Sequence, residues 1–234
     1  MFPHRHKRPR HEISGLASEF GTSVKACLVE PKRSRWRRAL QILQTDPVFA
    51  ESISRFVDVE TNEVLREEAR DVFRTLSSGH KIVLLTMTRL VETVEEATLV
   101  LLDEPESHLH PPLLAAFILA LSDLMEDRNG VAIIATHSPV VLQEVPRSCV
   151  WKLRRSGDEL IASRPDIETF GENVGTLTQE VFGLEVTTSG FHRTLQETVE
   201  GGADYEDVLA IFNGQLGAEA RALVQSMAFM ARRR

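Results

Sequence analysis

LSSGHK at 76–81, TLVLLDEPE at 98–106 and ATHSP at 135–139 are the three most informative stretches of the sequence. The second contains an unbroken apolar run, Leu99–Leu102, which is typical of a strand buried on both faces of a parallel sheet. Another apolar run, Val131–Ala135, follows a segment of helical periodicity. Strand, helix and strand in this order predict a βαβ unit within an α/β domain.

Two carboxylates follow the first predicted strand directly. Because ligands gather at the carboxyl ends of strands in open α/β sheets, Asp103 and Glu104 stand where chemistry is expected. Adjacent carboxylates suit a metal-assisted hydrolysis, and we assign Asp103 to Mg²⁺ and Glu104 to the attacking water. An acidic turn after a core strand is the alternative for this pair taken alone.

The second predicted strand also ends in polar side chains, Thr136 and His137. The two strand ends are expected to lie together, so His137 would stand near the carboxylates. There it could donate a hydrogen bond to a terminal phosphate. A lone histidine at such a position is more often a structural surface residue.

The serines and glycine of the first stretch predict the start of a helix. Ser77, Ser78 and Gly79 precede a long segment with apolar residues at helical spacing. Amides at a helix N-terminus bind anions, and Gly79 would let a phosphate approach the backbone closely. A serine that only caps the helix is the alternative.

In this order the three stretches resemble the C-terminal half of an ABC-type ATPase. LSSGH resembles the signature motif, LVLLDEPE the Walker B motif, Ser107–His110 the D-loop, and His137 the switch histidine. The wording DEPESHLHPP is more similar to soluble AAA-family ATPases of the SMC and OLD types than to membrane transporters. It most resembles the ATPase subunit of Septu-type and retron-associated antiphage systems.

The resemblance implies an α/β chain with a partial P-loop NTPase fold of the ABC type. A parallel central sheet would follow a helical subdomain and precede a helical C-terminal appendage. ATP and Mg²⁺ are the implied cofactors, with Glu104 and His137 catalytic and Asp103 the metal ligand. A homodimer or hetero-oligomer through the nucleotide interface is implied as well. The residues implied to bind a nucleotide held by the opposite protomer are Ser77, Ser78, Gly79 and His80.

One part of such a site is missing from the sequence. A P-loop requires G-x-x-x-x-G-K-[ST], and the chain contains no Gly-Lys pair. The nearest approximation, Gly15–Ser23, has no lysine before its hydroxyls, and we interpret it as a loop. We therefore expect an ATPase half from a truncated, split or degenerate protein, which completes a composite site. The alternative is a non-catalytic interaction module that docks a partner such as a nuclease subunit.

Composition sets further limits. A chain of 234 residues with 42% hydrophobic residues can form one sizeable globular domain. Cys27 and Cys149 lie far apart, which indicates neither a disulfide framework nor a zinc site. No apolar stretch reaches the roughly 20 residues that span a bilayer, so no membrane contact and a cytoplasmic location are expected. The net charge of −7 leaves the basic termini as the segments where nucleic acid would be contacted.

The pattern predicts four segments: a basic mobile leader at 1–24, a helical subdomain at 25–75, the ATPase core at 76–165 and a helical appendage at 166–234. A hairpin signal at 156–158 is expected to finish the sheet of the core. The acidic cluster Asp204–Asp207 is interpreted as a helix cap, so no nuclease is expected in the tail. His108 and His110 have a spacing that could ligate a metal, but no third ligand is visible nearby, and the D-loop interpretation is favoured.

Overall fold

The computed structural model describes residues 10–57, 62–188 and 190–231. The chain divides into two compact units, Met1–Val145 and Pro146–Arg234. Within the described ranges, no helix is both long and apolar enough to cross a membrane.

The first unit is mainly helical and contains one βαβ crossover. The order of its elements agrees with the sequence prediction from α2 onward. Its elements are α1 (Arg10–Cys27), α2 (Lys32–Leu43), α3 (Pro47–Val57), α4 (Asn62–Thr75), α5 (Ser78–Thr93), β1 (Leu99–Asp103), α6 (Pro111–Asp127), β2 (Val131–Ala135) and α7 (Pro139–Gln143).

In place of the expected mobile leader, the structure has helix α1, which packs against α4 and α5. Phe20 and Val24 are fully buried, and the Phe20 ring stacks on Phe73 with 4.7 Å between centroids. Gly21 favoured a loop in the sequence, but in the structure it lies in the helix against the Arg70 side chain. A Cβ added at Gly21 would come within 2.7 Å of the Arg70 Nε. The glycine is therefore explained by the close packing of Arg70 against α1. Residues 1–9 of the expected leader lie outside the described ranges.

Strands β1 and β2 pair in parallel, with Leu99 opposite Val131 and Asp103 opposite Ala135. This confirms the predicted βαβ unit. Helix α6 begins at Pro111, where proline is well tolerated because its missing N–H would have no partner in the first turn. Its apolar side chains are buried in the core of the unit.

The prediction that β1 is buried on both faces is wrong for the described residues. Val100 is buried, and Leu102, Ala132 and Ile134 pack partly against the core. Alternate side chains point to opposite faces of a strand, and the other face of this sheet is bare. Four apolar side chains on that face are between 57% and 68% exposed: Leu99, Leu101, Val131 and Ile133. We call these four residues the bare sheet face.

The second unit combines a hairpin with four helices. After a 3₁₀ turn at Arg147–Cys149 come β3 (Lys152–Ser156), β4 (Glu159–Ser163), α8 (Val174–Thr188), α9 (Phe191–Glu200), α10 (Tyr205–Ile211) and α11 (Ala218–Ala231). A small core of Leu195, Val199, Val208 and Val224 holds α9, α10 and α11 together. The interpretation of Asp204 as a helix cap is confirmed, since its side chain accepts hydrogen bonds from the Glu206 and Asp207 amides.

The predicted hairpin is present, but the expectation that it finishes the sheet of the core is wrong. In the described residues β3 pairs antiparallel with β4, and neither strand pairs with β1 or β2. The hairpin is instead tied to α8 by Lys152, whose Nζ donates to the Glu180 carboxylate over 2.6 Å. Hairpin signals fix the pairing of two adjacent strands, but they carry no information about a third strand.

Candidate functional site

Asp103 and Glu104 extend from the carboxyl end of β1, and both are exposed. We call this pair the carboxylate edge. The Glu104 N–H donates to the carbonyl of Ala135 over 2.8 Å, which continues the parallel pairing beyond the strand. Glu104 has a φ of +45°, a conformation that non-glycine residues adopt rarely and that often accompanies function.

His137 lies beside the carboxylate edge, as the strand order predicts. Its Nε2 is 3.6 Å from Oε1 of Glu104, a distance at which the two groups attract when the imidazole is protonated. Both side chains are exposed, with 79% and 54% of their surfaces accessible. The two groups can therefore act on a molecule that approaches from solvent.

Glu106 fixes the backbone that carries His137, a role that was not predicted from the sequence. Its Oε1 accepts hydrogen bonds from the Thr136 hydroxyl at 2.7 Å and from the His137 amide at 2.8 Å. Burial raises the pKa of Glu106, but these hydrogen bonds to the charged form outweigh it, so the pKa lies below its usual value. Its position in the DEPE stretch, two residues after Glu104, is the feature of the sequence that could have indicated this role.

The second oxygen of Glu106 is an exception to normal hydrogen bonding. Among the described residues, Oε2 is buried without a hydrogen-bond partner. Buried polar atoms are nearly always paired, so an unpaired one near a candidate site indicates a missing partner. A water molecule, a metal ion or a polar group from another chain segment would satisfy it.

A pocket of about 270 Å³ opens next to the carboxylate edge. Asp103 and Glu104 line one side, while Ile82 and Val83 of α5 and Phe117 of α6 form an apolar wall. Pockets that enclose a drug-sized ligand have roughly 300–1,000 Å³. At about 270 Å³, this pocket lies just below that range.

The segment Leu76–His80, which we call the signature-like segment, begins α5. Ser77 is the N-cap, and its hydroxyl accepts from the His80 amide over 3.2 Å, as the capping alternative required. Ser77 and Ser78 are exposed, whereas Gly79 is buried. A Cβ on Gly79 would lie 2.6 Å from the carbonyl oxygen of His108, so this glycine permits a close approach by the chain's own backbone.

The side chain of His80 is buried and does not reach the solvent beside Ser77 and Ser78. Its ring packs edge-on against Phe49 at 5.1 Å between centroids and lies 5.8 Å from the ring of His110. Burial lowers the pKa of His80 below its usual value, against the attraction of Asp46. The predicted nucleotide contact of His80 stays a prediction, and it would have to involve the backbone.

Comparisons with known proteins agree with the ATPase resemblance at a coarse level. The chain is 48% identical over 233 residues to "Protein ea59" of Escherichia phage lambda, an alignment that covers 92% of this chain and 44% of the relative. The chain thus spans less than half the length of that relative, whose name states no activity. Residues 28–143 match the family described as "AAA domain, putative AbiEii toxin, Type IV TA system". This match supports an ATPase-like domain of the AAA/P-loop type in the first unit.

Proposed function

We propose that this chain is the part of an ABC-type ATPase that supplies the hydrolytic groups of a composite ATP site. The observation that carries the proposal is the approach of His137 to Glu104 at the ends of two adjacent parallel strands. A P-loop needs a Gly-Lys pair, and residues 1–234 contain none. In this proposal the P-loop therefore belongs to another segment or to a partner chain.

The donor atoms at the carboxylate edge suit Mg²⁺. This ion takes oxygen ligands and is usually bound through one or two carboxylates together with substrate phosphates. Asp103 is an exposed carboxylate, and Glu106 adds a buried oxygen that has no partner among the described residues. Asp103 would hold the ion. When bound, ATP would supply the phosphoryl group, and Mg²⁺ would neutralise the charge that develops on its oxygens.

The chain's own residues have separate roles in this proposal. Glu104 orients the attacking water and accepts its proton, a role that requires an ionised carboxylate within hydrogen-bond reach of the water. His137 donates a hydrogen bond to an oxygen of the terminal phosphate. Glu106 is a positioning residue, because it holds the His137 backbone through the hydrogen bond to the amide.

Three observations support a composite rather than a self-sufficient site. The pocket beside the carboxylate edge is small, the bare sheet face has no cover among the described residues, and the lambda relative is more than twice as long as the aligned region. The exposed Ser77 and Ser78 at the start of α5 would serve the nucleotide of an opposite protomer. The amide of Gly79 would add a hydrogen bond to the same phosphate, and the His80 amide could join only by leaving the Ser77 hydroxyl.

A non-catalytic module that docks a partner such as a nuclease subunit is the second candidate, and the missing Gly-Lys pair favours it. A role for this ATPase in an antiphage complex rests on the family resemblance alone. The two candidates differ in turnover, since only the first hydrolyses ATP once the P-loop is supplied.

The test is a chimera in which residues 1–234 replace the matching region of the lambda relative. The remainder of that relative is expected to contain G-x-x-x-x-G-K-[ST], which its sequence will reveal. Glu104→Gln should leave ATP binding unchanged but lower the turnover roughly 100-fold or more, because an amide cannot act as a general base. The matched control is Glu96→Gln, an exposed glutamate before the opposite end of β1.

Turnover that is unchanged in Glu104→Gln would remove Glu104 from the mechanism. Absence of any turnover in a folded chimera that binds ATP through an intact P-loop would favour the non-catalytic module.

A further inference from the structure

Asp46, His80 and His110 come from distant parts of the chain and meet in the first unit. Asp46 lies between α2 and α3, His80 in the first turn of α5, and His110 at the N-cap of α6. One ligand atom from each residue lies within 4.8 Å of the other two. We call these three residues the Asp-His-His cluster. It shares no residue with the carboxylate edge.

We propose that the Asp-His-His cluster binds a divalent transition-metal ion, with Zn²⁺ as the preferred ion. Two imidazoles and one carboxylate form the donor set of zinc sites that leave a fourth position open to water. Mg²⁺ and Ca²⁺ prefer oxygen ligands, so two nitrogen donors select against them. The cluster is therefore chemically distinct from the site expected at Asp103, and the inference does not rest on the proposed function.

The geometry of Asp46 is that of a prepared ligand. Its side chain is 1% exposed, and Oδ2 lies 2.8 Å from Nε2 of His110. Its other oxygen, Oδ1, accepts the Phe49 amide over 2.8 Å, which fixes the orientation of the carboxylate. Such hydrogen bonds from outside the ligand shell orient the ligands in metal sites. A metal ion would take the place of the proton between Oδ2 of Asp46 and Nε2 of His110, while Oδ1 keeps its hydrogen bond to Phe49.

The two histidines differ in mobility. His80 is buried and packed against Phe49, so it forms a fixed side of the cluster. His110 has 44% of its side chain exposed and can rotate. Ligand atoms that are about 2.0–2.2 Å from a tetrahedral ion lie roughly 3.4 Å apart. Nε2 of His110, now 2.8 Å from Oδ2 of Asp46, would therefore move slightly away from it to admit the metal. The exposure of His110 also gives the ion a path from solvent.

A bound ion would cross-link three segments that lie far apart along the chain. It would hold the start of α5, which carries the signature-like segment, to the start of α6. The ion would thereby fix Ser77 and Ser78 relative to the loop that follows the carboxylate edge. Because the unfolded chain does not present these ligands together, metal binding should also stabilise the folded first unit.

The test is calorimetric titration of ZnCl₂ into the metal-free 234-residue chain at pH 7.5. His4, His6 and His11 in the N-terminal basic segment could bind metal on their own, so all proteins carry glutamine at these three positions. We expect one Zn²⁺ per chain, no competition from millimolar Mg²⁺, and an increase in the melting temperature. His110→Gln should weaken zinc binding at least about 100-fold, since losing even an outer partner of a ligand costs about 10- to 100-fold.

The matched control is His108→Asn, which removes an exposed histidine from the same loop and tolerates its positive φ of 71°. It should bind zinc as tightly as the parent protein. No zinc binding by the parent, or equal binding by His110→Gln, would overturn the proposal and leave Asp46 and His110 as a hydrogen-bonded pair. His80→Gln is a second test, but the half-exposed His110 decides the result if the buried variant fails to fold.

Discussion

At the residue scale, Glu106 determines how His137 is presented. A hydrogen bond to a charged group contributes about 1.5–3 kcal/mol, and Glu106 makes two of them at the end of β2. Glu106→Ala should therefore speed hydrogen exchange of the His137 amide by about 10- to 100-fold. Exchange measured by nuclear magnetic resonance on the 234-residue chain tests this expectation.

Glu96→Ala provides the control for that experiment, because Glu96 is exposed and lies just before β1, at the end of the strand away from Glu106. The rate at His137 should not change in this variant. If Glu106→Ala also leaves the rate unchanged, Glu106 is not what positions His137.

The residues of the candidate site were predictable to different degrees. Asp103, Glu104 and His137 follow two apolar runs, and parallel pairing brings such positions together, so their proximity could be predicted and is confirmed. The hydrogen bonds of Glu106 depend on the course of the following loop. The meeting of Asp46 with His110 depends on the packing of separate helices. Neither contact leaves a periodic signal in the sequence.

At the scale of elements, an ion pair between the buried Lys152 and the partly buried Glu180 joins the hairpin to α8. Lys152 is 6% exposed, and its Nζ contacts Glu180 at 2.6 Å and Asp166 at 3.6 Å. Breaking a buried pair costs roughly 3–5 kcal/mol; because Glu180 is partly exposed and the Asp166 contact remains, Glu180→Gln should cost about 3 kcal/mol at most. Hydrogen exchange of β3 and α8 peptides should increase accordingly, while peptides of the first unit serve as an internal reference.

The same pair predicts a pH dependence for the second unit. The hydrogen bond from Lys152 lowers the pKa of Glu180 below its ordinary value of 4.5. A lowered pKa in the folded state means that the stabilisation is present above pH 4.5 and is lost as the pH falls through the lowered value. Glu180→Gln should remove this dependence, whereas Glu159→Gln, an exposed residue of β4, should preserve it. Equal acid sensitivity in both variants would contradict the assignment.

Most elements could be predicted because periodicity survives in the local sequence. Helix α5 contains a strand-like run at Ile82–Leu85, but its apolar pattern continues too long for a strand, and the structure has a helix there. Helix α1 was missed because Gly15 and Gly21 favoured a loop. The reason for Gly21 is the side chain of Arg70, which lies far along the chain. Local sequence cannot reveal such a contact.

At the scale of the whole molecule, the bare sheet face should make the isolated chain associate. Exposed apolar patches and strands with an open edge recruit partners. In the described residues β1 pairs with β2 alone, and α1 does not cover the sheet. We expect light scattering during size-exclusion chromatography to give a mass that rises with concentration for residues 1–234. The double variant Leu101→Thr, Ile133→Thr should reduce this association.

Leu160→Thr is the matched control, since Leu160 is 67% exposed on β4 of the second unit. It should leave the association unchanged. A stable monomer at all concentrations would show that another part of the chain covers the sheet. The bare sheet face would then no longer support the proposal of a composite ATP site.

We propose that Glu104 and His137 act on a nucleotide whose phosphates are anchored outside residues 1–234. Without P-loop amides and lysine, the triphosphate loses most of its charge-assisted hydrogen bonds. The most direct measurement compares ATP turnover by the 234-residue chain alone with turnover by the chimera that contains the rest of the lambda relative. We expect no measurable turnover by the chain alone and turnover by the chimera. Turnover by the chain alone at the rate of the chimera would show that residues 1–234 anchor the nucleotide themselves.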